Sequence, residues 1–217
     1  MFQLHTLIGR GKRKTQDPCE GCGLHKSHCL CESIPRIELQ TKISLVIHTK
    51  ELKRTTNTGA LAHKALVNSE VFIRGRMAQP LDLTHLLSDN YQTFLFYPSE
   101  DAVELTKELV QKCRLPVQLI VPDGNWRQAS KVHYRHHELK DVPRVMIKSA
   151  NTAIHHLRAE SSEEGMATLQ AIAQALGVIE GEAVKAQLMS LYNLKLERTL
   201  IGRGLLKKPH SADKQKG

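Results

Sequence analysis

From residue 42 onward the chain alternates between short apolar runs of strand length and longer segments whose apolar residues recur at helical spacing. Residues 43–48 read as a buried strand. Residues 55–67 read as a helix with Leu61, Ala65 and Leu66 facing inward, and 71–73 as a short strand. Residues 82–88 read as a helical turn and 93–97 as a strand. Asp101 and Glu104 then have capping-box spacing, which predicts a helix running to about residue 112. Val117, Leu119, Ile120 and Val121 form an apolar run bounded by Pro116 and Pro122, the pattern of a strand covered on both faces. A helix over 126–137, a strand over 144–147, a helix over 162–176 stopped by Gly177, and a last helix over 182–196 complete the series. This alternation predicts an α/β domain built on a mostly parallel sheet.

The segment after the central apolar run carries the best candidate for chemistry. Asp123-Gly124-Asn125 turns the chain, and Trp126, the only tryptophan, opens the following helix. In open α/β sheets ligands bind where a strand ends and its loop leads into a helix. Outside the alternating region, residues 1–17 carry Arg10, Lys12, Arg13 and Lys14 without periodicity and read as a mobile basic arm. Residues 18–36 form a cysteine-rich knuckle, 37–198 the main domain, and 199–217 a Lys-rich tail. The hexamer Thr-Leu-Ile-Gly-Arg-Gly occurs at 6–11 and again at 199–204, too short for a structural repeat.

Length and charge narrow the functional classes. A chain of 217 residues holds one sizeable core. No apolar run is long enough to span a bilayer, and the N-terminus does not read as a secretory signal. The expected compartment is the cytoplasm, with no membrane partner. Thirty-one Lys plus Arg against 22 Asp plus Glu give a net charge of +9, which favours a polyanionic partner, nucleic acid first. Four Phe, four Tyr and one Trp are too few for the aromatic stacking platform of an RRM or OB fold. No GxGxxG follows the first strand, and no GxxxxGK[ST] or HExxH motif occurs.

Cys19, Cys22, Cys29 and Cys31 are spaced C-x2-C-x6-C-x-C, with Gly21 and Gly23 on either side of Cys22. In a reducing compartment this clustering points to metal, and four thiolates suit a closed, structural zinc site. A labile disulfide, or His25 or His28 in place of one thiolate, are the alternatives. Cys113 stands apart and reads as a small buried residue.

These pieces, in this order, resemble the DTW-domain family of tRNA-uridine aminocarboxypropyltransferases, in its bacterial form. The resemblance runs from about Cys19 to Gln174. It rests on the cysteine knuckle, His48-Thr-Lys-Glu51 with Asn57-Thr58-Gly59, and Tyr97-Pro98-Ser99. Asp123-Gly124-Asn125-Trp126 with Gln128-Ala129, His156-Leu157-Arg158, and Ala167-Thr168-Leu169-Gln170-Ala171 complete it. Asn125 stands where the name-giving motif has Thr, Thr49 replaces a common proline, and Gln170 a common glutamate.

The resemblance implies a SPOUT-like fold, knotted or not, that binds S-adenosylmethionine in late loops. It further implies transfer of the 3-amino-3-carboxypropyl group to N3 of a tRNA uridine, at position 47, releasing methylthioadenosine. Asp123 is the candidate base for the N3 proton or the group that orients N3; the alternative is a residue that only fixes its own loop. Tyr97, Pro98, Ser99, Pro122, Gly124, Trp126, Leu157, Arg158 and Thr168 are the expected cofactor contacts. For Trp126 a packing anchor and a lid over a base are both open. For Arg158 a bidentate carboxylate contact, a phosphate contact and a solvated cation are open. Lys53, Arg54, Asn57, Arg127 and Lys131 are the expected RNA contacts. A SPOUT-like RNA methyltransferase and a non-catalytic zinc-knuckle RNA-binding protein are the competing functions. The sequence favours neither monomer nor homodimer.

Overall fold

The computed structural model describes residues 15–52, 54–76, 81–148 and 166–206. Six strands form one sheet in the order β2-β1-β5-β3-β6-β4. They are β1 (Lys42–His48), β2 (Ser69–Arg74), β3 (Gln92–Phe96), β4 (Val103–Glu104), β5 (Val117–Asp123) and β6 (Arg144–Met146). Every pairing is parallel. The helices are α1 (Gly59–Ala65), α2 (Lys107–Gln111), α3 (Trp126–Ala129), α4 (Lys131–Arg135), α5 (Thr168–Ile179) and α6 (Glu182–Gly202).

Strand side chains alternate between faces, and the sheet is covered on both. Ile43, Leu45, Ile47, Leu119, Val121 and Phe94 pack with α1, α5 and α6 in the larger core. Val46, Leu95 and Ile120 point the other way, against Leu83, Leu86, Ala129, Val132 and Leu139. Cys22, Leu24 and Leu30 of the knuckle pack into the larger core. Cys113 is half-buried against that same core.

Several boundaries move, each for a physical reason. The Asp101–Glu104 spacing does not cap a helix: Val103 and Glu104 pair with Val145 and Met146 as β4. The helix starts at Lys107 instead, where the Thr106 hydroxyl accepts from the Leu109 N–H at 3.3 Å. Residues 126–137 split into α3, α4 and a 3-10 turn at His137–Leu139. Gly177 lies inside α5 rather than ending it. A Cβ there would come within 2.7 Å of the Lys185 side chain, so the glycine lets α6 pack closely. The last helix continues to Gly202, beyond the expected end near 196, and takes in most of the second hexamer copy. The first copy, at 6–11, lies outside the described residues. Among the described residues no helix is long and apolar enough to cross a membrane.

Candidate active site and metal centre

The strand order places β5 between β1 and β3, where the chain reverses its direction across the sheet. The crevice beyond the strand C-termini at such a point is the standard ligand position of an open α/β sheet. Asp123 is the last residue of β5 and is only 7% exposed. It continues the Val117, Leu119, Val121 face, so its side chain reaches toward α1 and α5. Oδ2 accepts from Asn57 Nδ2 at 3.0 Å and Oδ1 accepts from the Thr168 hydroxyl at 2.6 Å. The segment before α1 and the start of α5 are thus joined through one carboxylate. A second bond, Leu169 N–H to Thr58 Oγ1 at 3.2 Å, runs beside it. Gly59 completes the enclosure, since a Cβ there would stand 2.5 Å from Asp123 Oδ2.

Asn57 is buried with its amide used internally: Nδ2 serves Asp123 and Oδ1 accepts the Ala60 N–H at 2.9 Å. The sequence reading sets it against RNA; in the structure its amide holds the carboxylate and caps α1. Arg54 is ion-paired to the buried Glu51 at 3.3 Å. Arg127 and Lys131 line a basic cleft on the opposite side of the rim. Lys53, Leu157 and Arg158 lie outside the described residues.

Of the expected cofactor contacts, Tyr97, Pro98 and Ser99 follow β3, the strand beside β5, and so stand on the same rim. Pro98 is exposed, while Tyr97 is buried in the smaller core, where burial raises its hydroxyl above the usual range. Pro122 is half-buried within β5, and Trp126 is the first residue of α3, its side chain outside the described part of the chain. Gly124 meets Gln128 closely, a Cβ there coming within 2.8 Å of the Gln128 Cβ.

The substituted motif positions have local explanations. Asn125 Oδ1 accepts the Gln128 N–H at 2.9 Å while Asn125 N–H donates to Gln128 Oε1 at 2.9 Å. This is a reciprocal cap on α3, in which a threonine hydroxyl could also accept the Gln128 N–H. Gln170 Oε1 accepts the Ala167 N–H at 3.1 Å, a bond a glutamate oxygen would also make. The Thr49 N–H donates to Arg74 O at 2.9 Å, extending the β1–β2 ladder where a proline has no hydrogen to give.

At the N-terminal end the four cysteine sulfurs all lie within 4.8 Å of one another. Cys29–Cys19, Cys19–Cys31 and Cys22–Cys29 separations are 3.4, 3.6 and 3.9 Å. A tetrahedron with zinc–sulfur bonds of about 2.3 Å has edges of about 3.8 Å, so the spacing suits that ion. A Cβ at Gly21 would collide with the Cys31 sulfur, and Gly23 adopts φ +71°. Without a cation the sulfurs cannot all ionise together. The Cys22 N–H and the Cys29 thiol lower Cys19 to about 6, while burial and the neighbouring thiols push Cys31 up to about 12. Lys195 of α6, 1% exposed, donates to Cys22 O at 2.5 Å and places a buried cation against the cluster.

Sequence reasoning missed Asn57 and Gly59 as the setting of Asp123, although both sit in a motif it singled out. It also missed Lys195, which nothing in its local sequence marks.

Curated relatives match this chain at low identity. The chain is 27% identical over 172 residues to tRNA-uridine aminocarboxypropyltransferase 2 of Drosophila melanogaster, covering 76% of this chain and 67% of the relative. It is 23% identical over 218 residues to the protein of that name from Mus musculus, covering 91% and 73%. The Macaca fascicularis protein is 22% identical over 222 residues, covering 94% and 74%. No solved structure matches significantly. The profile of the DTW domain matches residues 16–200, nearly the whole described chain, and on that match the protein belongs to the DTW domain family.

Proposed function

We propose that this protein is a tRNA-uridine aminocarboxypropyltransferase. It moves the 3-amino-3-carboxypropyl group of S-adenosylmethionine to N3 of a tRNA uridine, at position 47, and releases methylthioadenosine. The observation that carries the reading is a buried carboxylate at the topological switch point, held on both oxygens by motif residues of a DTW domain.

The donor supplies a sulfonium that activates the carbon attached to sulfur. A sulfonium fits beside a buried carboxylate, and Tyr97, Pro98, Ser99, Pro122 and Gly124 at the strand ends with Thr168 at the start of α5 are the described candidates for holding it. With Trp126, Leu157 and Arg158 they make up the cofactor set of this reading. The bond from uridine N3 to the γ-carbon forms as the carbon–sulfur bond breaks. The electron pair leaves on sulfur, and the N3 proton passes to Asp123 or is oriented by it. Holding both oxygens against rotation orients the carboxylate, which is where Asn57 and Thr168 act.

The same reading includes a SPOUT-like topology, knotted or not, with which the all-parallel sheet agrees, and RNA contacts at Lys53, Arg54, Arg127 and Lys131. It also includes structural zinc on Cys19, Cys22, Cys29 and Cys31, where four thiolates leave no open position for catalysis. The test incubates the purified protein with unmodified tRNA and carboxyl-labelled S-adenosylmethionine. Label in tRNA with methylthioadenosine as by-product supports the assignment. Release of S-adenosylhomocysteine makes the protein a methyltransferase, and tRNA binding without any transfer makes it a binding protein.

A further inference from the structure

The C-terminal rim of the sheet has two sides. Asp123 belongs to the side covered by α1 and α5. On the other side β1 ends in His48 and β2 in Arg74, which face each other in register and continue the Val46 and Phe72 alternation. Together with Lys50, Arg127, Lys131 and Arg135 they line a cleft of about 340 Å3, the size of a small-ligand site. Asn125 lines it too, two residues after Asp123, so one tight turn separates the cleft from the carboxylate.

The lining holds five permanent cations and no carboxylate. Among the described residues, none of the five is in an ion pair. Arg74 is 8% exposed and donates to Gln128 O at 2.6 Å, which fixes its guanidinium as part of the wall. Gly75 has φ +85°, and a Cβ there would press on the His48 ring at 3.0 Å. Burial and then the charge of Arg135 lower the Arg74 pKa from its usual value. Such a set of cations repels itself in the free protein and is relieved by an anion, and arginine forks match phosphate oxygens.

We propose that this cleft seats the phosphodiester backbone flanking the target uridine, so that the nucleotide crosses the rim between the cleft and Asp123. The inference rests on tRNA as the substrate and adds Lys50, Arg74, Arg135 and His48 to the expected contacts. The test measures binding of full-length protein to unmodified tRNA between about 50 and 200 mM salt. Three variants are compared: wild type, the exposed-cleft triple Lys50→Gln/Arg127→Gln/Arg135→Gln, and an equal-charge control, Lys107→Gln/Lys112→Gln/Arg114→Gln on and after α2. Each lost phosphate contact flattens the slope of log affinity against log salt by about 0.7–0.9. The cleft triple should therefore lose about two units of slope and the control well under one. Equal losses in both triples, or no loss in the cleft triple, overturn the proposal. A tRNA with a neutral methylphosphonate beside the target uridine should bind wild type more weakly yet leave the cleft triple unaffected; equal weakening of both overturns the placement. Binding requires no turnover, so absent transfer would sink the enzymatic reading alone, and intact transfer with an unchanged slope would sink the cleft alone.

Discussion

Replacing Thr168 by valine removes one hydroxyl and keeps the shape of the side chain. That hydroxyl donates to Asp123 Oδ1 at 2.6 Å, and the carboxylate is buried. A hydrogen bond to a charged group contributes about 1.5–3 kcal/mol. In a domain of this size each kcal/mol shifts the midpoint of thermal unfolding by about 2–4 °C, so Thr168→Val should lower it by roughly 3–12 °C. Asn57→Ala removes the donor on the other oxygen and also the cap on Ala60, a cap being a further contribution of about 1 kcal/mol. Because both donors hold the same carboxylate, the double variant should depart from additivity by about 0.5–3 kcal/mol in chemical unfolding. Costs that add to within about 0.5 kcal/mol, with Thr168→Val itself nearly neutral, would refute a carboxylate shared between α5 and the segment before α1.

Other consequences are independent of that bond. Gly59→Ala sets a Cβ 2.5 Å from Asp123 Oδ2 and 3.3 Å from Leu45, so a folded variant should lose at least about tenfold in kcat/KM, the equivalent of about 1.4 kcal/mol; full activity would show that the carboxylate position is unimportant. Metal analysis should find one zinc per chain, and Cys29→Ser or chelation should lower thermal stability. Lys195→Met should weaken zinc retention about 10–100-fold in a chelator competition, the usual effect of losing a group behind the ligands, and unchanged zinc affinity would make Lys195 a packing residue only. His48 is held below the ordinary imidazole range by burial first, then by Arg74 and Lys50, with Lys131 adding to them and Glu51 opposing. The unfolded chain therefore takes up that proton first: His48 reduces stability as pH falls below about 6.5 and not above it. A bound polyanion reverses the shift, so tRNA should bind more tightly as pH drops from 7 to 6. That gain should shrink in His48→Gln, and an undiminished gain would clear His48.

Much of the frame was legible because strand burial writes itself into composition. The apolar run at 117–121 reads as a strand covered on both faces and is the core of β5, which passes the expected bound at Pro122 and ends at Asp123. The failures come from contacts remote in sequence. Asp101 and Glu104 carry a helix-start pattern, but pairing of Val103 and Glu104 with β6 outweighs so weak a local signal. Gly177 looks like a stop and is instead the point where α6 leans on α5 through Lys185. Asn57 and Thr168 stand 111 positions apart and meet only through Asp123, so the motif order announced a site without showing who holds whom. Arg74 and Arg135 carry no local mark, and only the folding of α3 and α4 over the ends of β1 and β2 gathers them.

The most direct measurement of the central claim is nucleoside mass spectrometry on tRNA treated with S-adenosylmethionine and either wild-type protein or Asp123→Ala. The account predicts a 3-amino-3-carboxypropyl group on N3 of one uridine with wild type, and its near absence with the variant although tRNA still binds. Near-normal modification by folded Asp123→Ala would contradict it.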